Sequence, residues 1–62
     1  MKELYDILRH YGNIIGDKNH ITTEGMCIRF TTYEYNNQYY IVIMADGTLI
    51  AISETNDVRN MI

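Results

Sequence analysis

Residues 26–54 read MCIRFTTYEYNNQYYIVIMADGTLIAISE, three runs of β-branched and aromatic residues separated by Asn36-Asn37 and Asp46-Gly47. Both dipeptides tolerate the positive φ angles that a two-residue type I′ hairpin loop requires. The stretch therefore predicts a three-stranded antiparallel meander. Counting back from Asp46-Gly47 pairs Met44 with Leu49, Ile43 with Ile50 and Ile41 with Ile52, while counting from Asn36-Asn37 pairs Tyr33 with Tyr40 and Phe30 with Ile43. Opposed residues share a face, and the faces alternate along each strand. The two loops agree on the partition. One face takes Met26, Ile28, Phe30, Ile41, Ile43, Ile50 and Ile52; the other takes Cys27, Arg29, Thr31, Tyr33, Tyr35, Tyr40, Val42, Met44, Leu49, Ala51 and Ser53.

Upstream, Leu4, Ile7, Leu8 and Tyr11 fall at offsets 0, 3, 4 and 7, one apolar stripe of a helix over Lys2 to about Tyr11. Glu3 and Asp6 sit near its positive end and Arg9 and His10 near its negative end, in accord with the macrodipole. Gly12 is placed to close it, or Gly16 one turn later. The polar run Gly16 to Asn19 reads as a connection, and His20 to Thr23 as a short extra strand turned back by Glu24-Gly25, which pairs Ile21 with Ile28. Downstream, Thr55-Asn56-Asp57 offers an N-cap to a C-terminal turn carrying Val58, Met61 and Ile62. The expected fold is a single α+β domain over residues 1–62: a helix on one face of a three- or four-stranded antiparallel meander, followed by a short helical turn.

At 62 residues the chain is near the lower limit for a self-sufficient core. The one cysteine, Cys27, excludes an internal disulfide framework, and no Cys/His spacing suggests a structural metal. No run approaches a membrane span and the charged start Met1-Lys2-Glu3 has no apolar core of a signal peptide, so a cytoplasmic protein is expected, in the host cytoplasm if phage-encoded. A formal charge of −3 argues against a general grip on nucleic acid. Ten isoleucines, six asparagines and six tyrosines, with no proline or tryptophan, betray A/T-rich coding of the kind found in low-GC bacteria and their phages.

His10, His20 and Cys27 form no diagnostic catalytic spacing, and there is no Gly-rich phosphate loop or metal motif. Neither enzyme, cofactor nor small-molecule substrate is indicated. Burial favours the more aliphatic face, so the helix is expected there. The tyrosine-bearing face is then left as an interaction surface, in which Arg29, Tyr33, Tyr35, Tyr40, Val42, Met44 and Leu49 contact another protein or a second copy of the chain. Size, acidity and the missing catalytic constellation give a class-level resemblance to small phage or mobile-element proteins that inhibit a host factor such as a defence nuclease or polymerase. The alternatives are a nucleic-acid regulator with bases stacked on the tyrosines, a self-assembling structural subunit, and a face whose tyrosines only stabilise the hairpin.

Overall fold

The computed structural model describes residues 2–55, and the expected C-terminal turn with Val58, Met61 and Ile62 lies outside them. Helix α1 (Lys2–Tyr11) leads into four strands, β1 (Asn13–Ile21), β2 (Cys27–Tyr35), β3 (Gln38–Ala45) and β4 (Thr48–Thr55), paired in chain order as one antiparallel sheet. Both expected loops are present: Asn36 and Asn37 have φ of 53° and 62°, and Asp46 and Gly47 have 49° and 84°. The Asp46 turn is also tied to the start of β2. Its N–H donates to the Cys27 carbonyl at 2.9 Å, and its Oδ1 accepts from the Cys27 N–H at 3.1 Å.

The pairing of β2 with β3 follows the sequence reading throughout, from Tyr35 opposite Gln38 to Ile28 opposite Ala45. The other two pairings depart from it. Between β1 and β2 the loop has three residues instead of two, because the Thr22 N–H donates to the Met26 carbonyl, Gly25 closes a turn onto the Thr22 carbonyl, and Gly25 takes φ 90°. Ile21 therefore faces Cys27 and not Ile28, and β1 extends back through the supposed polar connection to Asn13, with a bulge at Ile14–Gly16. In β4 an extra residue enters after Leu49, so Ile43 pairs with Ala51 and Val42 with Ile52. That bulge moves Ile52 to the opposite face and leaves Ile50 51% exposed.

The helix covers the tyrosine-bearing face, the reverse of the expectation. Leu8 (0% exposed), Tyr33 (8%) and Val42 (1%) form the buried centre, with Leu4, Tyr5, Tyr35, Tyr40, Met44, Leu49 and Ile52 packed around it. Three of the ten helical positions carry this contact, Leu4, Tyr5 and Leu8, while Ile7 and Tyr11 of the anticipated stripe are exposed. Chain connection explains the choice of face. Only Gly12 separates α1 from β1, and Ile14, the second residue of β1, lies opposite Tyr33, so the helix doubles back onto the Tyr33 side. Gly12 donates its N–H to the Leu8 carbonyl at 2.9 Å, and a Cβ there would lie 2.7 Å from that same oxygen and 3.2 Å from Tyr33 Cδ1. Each tyrosine also brings a ring larger than any isoleucine side chain, so the face chosen is not poor in buried area.

The opposite face is left without a covering element among the described residues. Register sets it out as four rows across the strands: Asn13, Glu34, Tyr39 and Thr55; Gly16, Thr32, Ile41 and Ser53; Lys18, Phe30, Ile43 and Ala51; His20, Ile28, Ala45 and Thr48. Phe30, Ile41 and Ile43 lie in its middle around Thr32, which is itself buried, and Lys18 and Glu34 lie toward its margin.

Leu8→Ala is expected to lower stability by about 3 kcal/mol, a large share of the total for so small a domain, as read from urea unfolding. Burial raises the Tyr33 phenol above the ordinary 10.0, with the nearby Tyr5 adding to the effect. The native chain then keeps a proton that the unfolded chain releases, so stability falls as pH rises past that value. Tyr33→Phe should flatten this alkaline slope in urea midpoints taken from about pH 9 to about pH 11.

Candidate functional site

Because α1 is short, it shelters the Tyr33–Tyr40 end of its face and leaves the Cys27–Met44 end open. A groove of about 330 Å³ lies there, floored by Thr31, Val42 and Met44, walled by Tyr5 and Tyr33, and rimmed by Cys27, Arg29, Asn19, Ile14 and Gly47. This is near the lower end of ligand-site volumes, room for one or two side chains. Four of the seven residues expected to contact a partner, Arg29, Tyr33, Val42 and Met44, line it. Of these, Val42 and Tyr33 are buried and offer only an edge to the groove, which corrects their reading as an exposed patch. Tyr35, Tyr40 and Leu49 are half-buried around the helix-covered core and lie outside the groove lining.

Arg29 is the polar anchor of the groove and is held in one orientation. Its Nε donates to Asp17 Oδ1 at 2.9 Å and its Nη2 to Asp17 Oδ2, the two-pronged geometry that a planar guanidinium gives to a carboxylate. Asp17 sits directly opposite Thr31 in β1, one step diagonal from Arg29, and accepts a longer contact from Thr31 Oγ1 at 3.4 Å. The pair is solvent-facing, with the side chains 53% and 34% exposed, so its worth to stability is small and its effect is positional. Arg29 holds the Asp17 carboxyl below the ordinary 3.8, and Asp17 in turn raises the guanidinium further. Asp17 had no place in the sequence reading, since it stood in a run taken as a loop. The alternation of Asp17 with Asn19 and Ile21 was the available signal.

Beyond the groove, Arg9 lies over the Tyr5 ring at 5.3 Å, steadying the tyrosine that forms its helical wall. Among the described residues no group of three or more His, Cys, Asp or Glu side chains is arranged to hold a metal ion, and no helix is long and apolar enough to cross a membrane. His20 lies opposite Ile28 and Cys27 opposite Ile21, which places the two on opposite faces of the sheet.

The Asp17 carboxyl binds its proton less readily in the folded chain, so its contribution to stability is present above the ordinary carboxylate range and is lost as pH falls through the lowered value. Asp17→Asn should remove that part of the acid limb, measured as a shallower loss of the urea midpoint below about pH 4. No protein-family model, curated protein or solved structure matches the chain.

Proposed function

We propose that this chain is a non-catalytic protein-binding module that acts stoichiometrically, seating an apolar side chain of a partner protein in the groove between α1 and the Cys27–Met44 end of the sheet. The observation that carries the reading is the joint character of that groove: an apolar floor of Val42 and Met44, an aromatic wall of Tyr5, and an arginine fixed at the rim by Asp17. Aromatic, methionine and arginine side chains in this concentration are the composition of interface hot spots. A preset Arg29 loses little freedom on binding and presents its remaining N–H donors to a backbone carbonyl or carboxylate beside the inserted side chain. Occlusion of a host protein's working surface, as by a small phage or mobile-element inhibitor, is the form of action that suits a 62-residue acidic chain.

Nucleic acid is the less favoured ligand. Arg29 already shares its charge with Asp17, and Tyr33 is buried, so a stacking platform lacks both its cation and one of its rings.

Met44→Glu places a charge on the groove floor and should reduce capture of a partner from lysate of the source cell at least tenfold, while the far-UV spectrum is unchanged. Arg29→Ala should weaken capture less. Undiminished capture by folded Met44→Glu rejects the groove, and a gel shift by micromolar protein with single-stranded probes rejects the protein-binding reading in favour of the nucleic-acid one.

A further inference from the structure

Arg29 is the one formally charged residue in the groove lining, which holds no carboxylate although the chain as a whole carries a net charge of −3. Asn19, Arg29 and Met44 stand side by side in one row of the sheet, a carboxamide, a guanidinium and a thioether on neighbouring strands about 4.8 Å apart. Asp17 takes up only the Nε–Nη2 side of the guanidinium. The end of the fork, Nη1 with the other N–H of Nη2, has no partner among the described residues and has the geometry to donate to a second carboxylate. Asp46, one row further out, is turned instead to the Cys27 N–H, which its Oδ1 accepts at 3.1 Å. Arg9, stacked on the Tyr5 wall at 5.3 Å and in no ion pair among the described residues, adds a second cation. Burial raises the Tyr33 phenol while Arg29 and Arg9 both draw it down, so the two guanidiniums share one neighbourhood.

We infer that the groove takes the carboxyl-terminal residue of the partner, with an apolar terminal side chain on Val42 and Met44 and its α-carboxylate accepting from the open end of Arg29 and from Asn19. The inference rests on the protein-binding reading of the groove and narrows it. Spacing favours the terminus over an internal acidic side chain. Arg29 and Met44 are directly opposed, so whatever meets the guanidinium must lie within about 5 Å of the side chain on the floor. In an extended peptide the next side chain points away from the sheet, and the one after it lies about 6.7 Å further on. A terminal α-carboxylate hangs from the same Cα as the inserted side chain, and it reaches Arg29 with no second side chain to immobilise.

The test uses the full chain, isotope-labelled and titrated with pentapeptides that carry a terminal leucine on a glycine–serine stem. They are supplied as the free acid, as the terminal carboxamide, and as a carboxamide in which aspartate precedes the leucine. The free acid should bind with a dissociation constant on the order of a millimolar, as about ten non-hydrogen atoms in a small open site allow. It should move the signals of Asn19, Met44 and Arg29 Nε. Amidation should weaken binding at least ~fivefold, the worth of an exposed charge-assisted contact. Arg29→Gln should bring free acid and amide to one affinity while leaving that of the amide unchanged. The inference is overturned by an acid and an amide that bind the wild-type chain alike, by an aspartate-bearing amide that matches the free acid, or by no shift with any peptide at about 5 mM, several times the expected constant. Those results leave the broader reading in place when capture from lysate is lost in Met44→Glu, whereas undiminished capture by that variant rejects the groove and this inference with it.

Discussion

A helix of ten residues can shelter only part of one side of a four-stranded sheet, and the side it takes decides what every other side chain is for. Here the contact of Leu8 with Tyr33 and Val42 makes that decision. It turns tyrosines and a methionine into core, and leaves Ile28 of β2 and Ile41 and Ile43 of β3 on the side the helix does not cover. It also creates the groove, because the helix ends its shelter before the Cys27–Met44 end of the sheet. Core, groove and open face are three consequences of one packing choice.

Hydropathy ranked the two faces the other way, and the reason for its failure is physical. Ranking by aliphatic character ignores how the chain gets from one element to the next, and a connection consisting of Gly12 alone leaves almost no freedom of path. The rank also undervalues tyrosine. A tyrosine packs a ring against the helix while its hydroxyl stays at the margin, so it serves as core without leaving a polar group unsatisfied.

Much else was legible. Two dipeptides with positive φ set the register of β2 on β3 residue for residue, and the partition of those strands into two faces is as their alternation implies. What could not be read were the insertions. Ile50 does not differ in type from Leu49 before it, so nothing in the string marks the place where β4 gains a residue; in β1 the mark is Gly16 beside the bulge, inside a run whose composition is that of a connection. Each insertion reverses the sidedness of everything beyond it. That is how Ile52 came to lie beneath the helix, and a three-residue loop at Thr23–Gly25 shifted β1 in the same manner. The Arg29–Asp17 pair was hidden by the same cause, since its aspartate belonged to a segment whose strand character emerges only once the loop length is known.

The two bulges fall on β1 and β4, the first and last strands in the order of the sheet among the described residues. A flat rim with a regular ladder is a template on which further chains add without end, and a greasy sheet of this kind is the sort most exposed to that fate. An extra residue in each rim breaks the spacing of the ladder and sharpens the local twist, so neither border offers a straight run for an incoming strand. The same irregularities that defeat a simple reading of the string thus steer the molecule away from fibrils.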